Sequence, residues 1–380
     1  MQPPEPRRAS PAIRHVPALD GIRGVAVALV VVFHDGLLRP SSGGLHGGFL
    51  GVDIFFVLSG YLITTLLLVE HRSNGRIDYR NFWARRMRRL LPAVLLLVVG
   101  VAVYARTIAL QSERAQIRSE SLATLAYVQN WHLIFTKTNS LVSLLNHAWS
   151  LAVEEQWYLV WPVVIVVLIG LTRRRGAALV GVILGLAAAS AAWTWHVYAN
   201  GVGEAHAYWG TDCRAQELLV GAALAVLLPI VDAALGRRPH VADGVGVVGV
   251  LAVAGFVATQ HPGSAVLAHG GYLVLACCVA AVIVAARSEH RGVVQQSLSW
   301  RPLRSLGLIS YGVYLAHWPI FFVLSEERTG LHGIVLSVVR YAVTLAVAIV
   351  SYVFVENPIR RGRVPARRLR VLAPAAIAAT

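Results

Sequence analysis

The chain has 380 residues, 56% of them hydrophobic and only 14% charged, with a net charge of +15. A soluble domain carries roughly a quarter charged residues, so an ordinary soluble fold is excluded. The excess of positive charge does not point to nucleic acid either, because the arginines do not form one patch and fall instead in the gaps between apolar runs.

Residues 1–17 read as a basic tail. Apolar runs follow at about 18–38, 49–69, 91–109, 149–170, 177–198, 214–231, 243–259, 268–286, 305–325 and 334–355, which predicts an all-α polytopic membrane protein of ten spans. No small-residue cleavage site follows the first run, so it is expected to remain as a span. The arginine-rich gaps alternate, and the positive-inside rule places them, with the N-terminus, in the cytoplasm. Residues 121–135, SLATLAYVQNWHLIF, fit poorly as a span. Asn130, Trp131 and His132 interrupt them, and counting them would invert every later cluster. They are expected to be re-entrant or interfacial, buried in protein or lining a cavity. Domain boundaries follow as a tail at 1–17, a transmembrane domain at 18–362, and residues 363–380 as a tail or the start of an eleventh span in a chain that continues past Thr380. Cys213, Cys277 and Cys278 have neither metal nor redox spacing.

Polar residues inside the runs are the candidates for chemistry, since ionisable groups in hydrocarbon are costly. Arg23 and His34 are eleven residues apart in the first run. Three helical turns plus about 20° put them on one face, about 16 Å apart along the axis. Asp20 can pair with Arg23. Arg23 reads either as a snorkelling anchor or as part of a site, and His34 as an interfacial residue or a deep base. The run GGFLGVDIFFVLSGYLIT carries Asp53, Ser59 and Tyr61. Asp53 either orients His34 or caps the helix start. Arg85, Arg86, Arg88 and Arg89 in NFWARRMRRLLP spread over a helical face. They either fork onto phosphate or set topology at the anionic lipid surface. NHAWSLAVEEQWYLVWP holds Ser150, Glu154 and Glu155 at the start of a run, with His147 before it as a loop residue. SYGVYLAHWPIFF carries Tyr311, Tyr314 and His317, the histidine being either packed or functional. Glu356 in VENPIRR reads as a helix-end ion pair.

The residues divide into two levels: arginines at the cytoplasmic face, and histidine with carboxylates nearer the outer face. Together the motifs Arg23-x10-His34, GFLGVDIFFVLSGYLIT, RRMRR, HAWSLAVEEQWYL, SYGVYLAHWP and VENP resemble the acyltransferase 3 family of membrane O-acyltransferases over about residues 15–362. Ala148 stands where that family usually has threonine. The resemblance implies acyl-CoA, most often acetyl-CoA, as a donor substrate rather than a tightly bound cofactor. It implies His34 as the catalytic base, Glu154 in the active cavity, and the four arginines, with Arg23, on the CoA side. Asp53 joins His34 and Glu154 as a catalytic candidate, and Ser59, Tyr61, Ser150, Tyr311 and His317 are expected to line the substrate cavity. The implied acceptor is a hydroxyl of an envelope glycan at a bacterial inner membrane, the implied partner an extracytoplasmic SGNH-type domain, and no metal is expected. The competing class is a transporter or flippase whose buried ionisable residues relay protons; against it, no half-chain repeat is visible.

Overall fold

The computed structural model describes residues 15–36, 46–136, 143–173, 175–201, 203–235, 238–288 and 291–361. The expected tail, apart from residues 15–17, and the expected start of an eleventh span lie outside these described residues.

The described residues form only helices: α1 (Pro17–Asp35), α2 (Gly51–Asn74), α3 (Tyr79–Thr107), α4 (Gln111–Leu125), α5 (Gln129–Thr136), α6 (Ala148–Leu171), α7 (Gly176–Ala199), α8 (Glu204–Trp209) and α9 (Thr211–Leu235). They continue with α10 (Pro239–Thr259), α11 (Tyr272–Arg287), α12 (Val293–Leu298), α13 (Arg301–Leu308), α14 (Ser310–Val323), α15 (Glu326–Thr329), α16 (Gly333–Ser351) and α17 (Asn357–Arg360). Nine of the resulting segments are long and apolar enough to cross a membrane, and the pair α13 and α14, bent by 72°, makes a tenth if counted as one span. All ten predicted runs are therefore found, the ninth as a broken one.

The elements begin and end where local chemistry requires. Proline at the first position of α1 sacrifices no helical hydrogen bond, and Gly36 ends the helix in the left-handed region at φ 74°. α3 starts twelve residues before the predicted run, so the arginine cluster stands on a helix rather than in a loop. Segment 121–135 is split between α4 and α5, with Tyr127 at φ 55° between them. Among its polar side chains Asn130 is bonded to neighbours, whereas those of Ser121, Thr124, Tyr127 and Gln129 have buried polar atoms without a partner among the described residues. The Gln156 amide donates to the Tyr127 carbonyl at 2.8 Å and to Asn130 Oδ1 at 3.0 Å, and Asn130 donates to Thr211 Oγ1 at 2.9 Å. Gln129 and Asn130 are buried in protein, but Ala126 and Val128 at the break itself are exposed, so the expected burial of the irregular backbone is met only in part.

Helices approach most closely where glycines remove the Cβ. A Cβ on Gly60 of α2 would lie 1.9 Å from the Leu218 carbonyl oxygen of α9, and one on Gly221 of α9 would lie 2.0 Å from the Val57 oxygen of α2. Backbones in contact favour association where lipid offers no hydrophobic drive. Prolines inside the helices shape the polar interior. A proline lacks the N–H that would bond the carbonyl four residues earlier. Pro162 thereby releases the Tyr158 carbonyl, which accepts from Trp83 Nε1 at 3.1 Å, and Pro319 releases the Leu315 carbonyl, which bonds His147 Nε2 at 3.1 Å.

Candidate active site

α1, α2, α3, α6 and α14 enclose a cavity of about 210 Å³. Arg23, Arg86 and Arg89 line it, as do Ser59, Glu154 and Tyr158, and then Ser150, Tyr311 and Tyr314. The order along α6 gives the cavity its polarity. Tyr158, with the Arg86 guanidinium 5.5 Å from its ring centre, marks the arginine end, and Ser150, two turns earlier, marks the other. Arg23 is held from below by Asp20 at 2.8 Å, and the buried Asp20 also bonds His15 at 2.7 Å. In the middle, Ser59 Oγ donates to Glu154 Oε1 at 2.8 Å, and the Tyr158 hydroxyl lies 3.2 Å from Glu154 Oε2 and 3.0 Å from Ser59 Oγ.

The four arginines divide by their partners. Arg86 and Arg89, three residues apart, face the cavity. Arg85 turns to Glu70 at 3.4 Å, and the exposed Arg88 donates to the Ala84 carbonyl of its own helix. Arg85 and Arg89 share a helical face at i,i+4 spacing, so it is their partners rather than the spacing that leave only Arg86 and Arg89 of the four on the cavity.

The second polar centre lies at the opposite end of α1. His34 stands in the last turn, and Asp35 fixes that turn by accepting from Arg340 at 3.0 Å and Tyr341 at 2.9 Å. His34 Nδ1 is 3.0 Å from Nε2 of His317, and His317 Nδ1 donates to the Tyr314 carbonyl at 2.5 Å. The Trp318 ring meets His34 edge to face at 4.8 Å. Tyr314 joins the two centres. Its ring lines the cavity and lies 5.5 Å from the His317 ring. Its hydroxyl donates to the His147 carbonyl at 2.7 Å and meets Ser150 Oγ at 2.5 Å. His34 and His317 themselves lie outside the cavity lining.

Asp53 and Tyr61 depart from expectation. Asp53 does not orient His34. It is buried against Arg214 of α9, with Glu217 one turn further on. A buried carboxylate next to a buried guanidinium is drawn to that partner, because an unpaired charge in hydrocarbon costs far more. Tyr61 is buried but turned away from the cavity. Glu154 lines the cavity yet bonds Ser59 and Tyr158 rather than His34. His147, expected as an exposed loop residue, lies in the turn before α6 but is buried, and burial and the neighbouring His317 push it well below the ordinary histidine range. Arg214 and Glu217 escaped the sequence reading. Their signal was an Arg-x-x-Glu pair at the start of an apolar run, where it passed for a boundary. Cys213 lies beside His206 and Asp212, but both Asp212 oxygens already bond His206, and one also accepts from Trp193 at 2.7 Å, so the trio reads as a hydrogen-bonded cluster.

The fold and its two polar centres define a polytopic helical membrane protein with a basic cavity at one end of its first helix and a histidine pair at the other. The profile of acyltransferase domains, acyltransferase 3, matches residues 16–355, and the chain belongs to that family. It is 35% identical over 364 residues to peptidoglycan O-acetyltransferase OatA of Listeria monocytogenes, covering 92% of this chain and 56% of that protein. It is 36% identical over 362 residues to YrhL of Bacillus subtilis, covering 91% and 55%. It is 33% identical over 359 residues to O-acetyltransferase OatA of Staphylococcus aureus, covering 92% and 58%. The chain thus spans little more than half the length of these relatives. No solved structure matches it.

Proposed function

We propose that this chain transfers an acyl group, acetyl from acetyl-CoA, to a hydroxyl of a cell-envelope glycan, with His34 as base. The observation that carries the reading is the cavity with Arg23, Arg86 and Arg89 at one end and the Tyr314 side chain, backed by the His34–His317 pair, beyond the other. Arginine forks suit the phosphates of a CoA nucleotide. The rise of about 16 Å between Arg23 and His34 is of the order of an extended pantetheine arm. The thioester carbonyl then arrives near Tyr314. His34 removes the proton of the acceptor hydroxyl, the oxygen bonds the acyl carbon, and CoA leaves as the thiolate that takes up the proton. Ser59 and the Tyr158 hydroxyl, both engaged with Glu154, hold that carboxylate in place beside the donor path.

The names of the Listeria and Bacillus relatives support peptidoglycan as the leading acceptor. On the positive-inside rule the arginine end faces the cytoplasm of a bacterial inner membrane, so the acyl group crosses the bilayer. An extracytoplasmic SGNH-type domain is the partner we expect to receive or pass on the group. Inverted membrane vesicles given acetyl-CoA labelled in the acetyl group test the reading. Label appearing in glycan and lost in His34→Ala supports it. Passage of an intact glycan or drug without label transfer would overturn it in favour of a transporter.

A further inference from the structure

We infer that His317 is a positioning residue that fixes the tautomer of His34, a role that rests on the reading of His34 as base. Hydrogen-bonding capacity fixes where the protons sit. The Tyr314 carbonyl can only accept, so at 2.5 Å it requires the proton of His317 to sit on Nδ1. A neutral His317 then offers a bare Nε2. That atom lies 3.0 Å from Nδ1 of His34, and one of the two nitrogens must donate. The proton therefore belongs to His34 Nδ1, and the lone pair of His34 is left on Nε2. The alternative, a doubly protonated His317, would put a full charge on a side chain with no exposed surface and no carboxylate partner among the described residues.

His317 thus does for His34 what a buried carboxylate does for histidine in a hydrolase triad: it selects which ring nitrogen is the base. It does so without a counter-ion. The Tyr314 carbonyl, two steps from His34, is what sets the chain's direction. Ring position is constrained as well, since Trp318 packs edge-on against His34 and is itself tied to the Ser143 carbonyl at 2.7 Å.

The test uses the full chain in membranes, with His317→Leu and His317→Gln. Glutamine places an acceptor oxygen near the position of the imidazole Nε2, and leucine places none. His317→Leu is expected to lower kcat by about 10²–10⁴ with little change in the KM for acetyl-CoA. His317→Gln is expected to recover most of that loss. The readout that a merely structural role would not move is nitrogen NMR of histidine-labelled protein, with His34 assigned by comparison with His34→Ala. The native protein and His317→Gln should show His34 protonated on Nδ1, and His317→Leu should show loss of that tautomer. His34 protonated on Nε2 in the native protein would overturn the inference, even if His34→Ala is inactive. So would a folded His317→Gln that keeps the Nδ1 tautomer yet is as slow as His317→Leu. Full turnover in His34→Ala would instead remove the reading beneath it, while the tautomer measurement would still stand.

Discussion

His34 and the arginines carry different parts of the proposed chemistry, so their variants should fail differently. His34→Ala is expected to insert normally and to lose transfer by about 10²–10⁴, measured as label incorporated per unit of inserted protein. Arg86→Gln with Arg89→Gln should weaken acetyl-CoA binding more than acceptor binding. Arg85→Gln with Arg88→Gln should leave donor binding nearly unchanged, because those side chains bond Glu70 and the helix backbone. Equal losses in both pairs, read by equilibrium binding of labelled CoA, would return the cluster to a topological role. Sequence reasoning found the arginine cluster but could not divide it. The division depends on tertiary partners, Glu70 of α2 for Arg85 and the cavity for Arg86 and Arg89, which no local pattern encodes.

At the scale of the helix, close packing between α2 and α9 governs whether the site forms at all. Both Gly60 and Gly221 meet carbonyl oxygens of the opposite backbone, which cannot move aside as a flexible side chain can. Gly60→Val or Gly221→Val should destabilise the fold by about 1–3 kcal/mol or more, seen as a lower melting temperature in detergent. The same interface holds Asp53, Arg214 and Glu217, all buried. Arg214→Leu leaves two buried carboxylates without their cation, and a loss of about 3–5 kcal/mol is expected. Acyl-CoA affinity in the protein that remains folded should be unchanged, because the trio lies outside the cavity lining. These elements show what the sequence could convey. Length and apolarity located every span, and the glycines of GFLGVD and LSGYL are residues that permit close approach. What they approached, and that Asp53 would face Arg214 some 160 positions later rather than His34, depends on tertiary pairing that no local pattern encodes.

Across the whole molecule, the proposed function makes α1 the spacer between donor and base, and its two ends should lie on opposite sides of the membrane. Single cysteines placed at Arg80, near the arginine end, and at Glu327, near the end of α14, in a background lacking Cys213, Cys277 and Cys278, should react with an impermeant maleimide from opposite faces of oriented vesicles. Labelling of both from one face would contradict the crossing. Within that frame Tyr314 has a further consequence. Its hydroxyl, fastened to Ser150 and the His147 carbonyl, stands between the cavity proposed to take the thioester and a histidine open in part to the other side. A membrane enzyme that handles such a donor risks acting as a thioesterase, squandering acetyl-CoA on water whenever no acceptor is present. On the proposed function the tyrosine insulates fuel from water. Its removal should therefore show itself less as a slower transferase than as a leak: Tyr314→Ala is expected to release free acetate and CoA without acceptor at a rate the native protein does not reach.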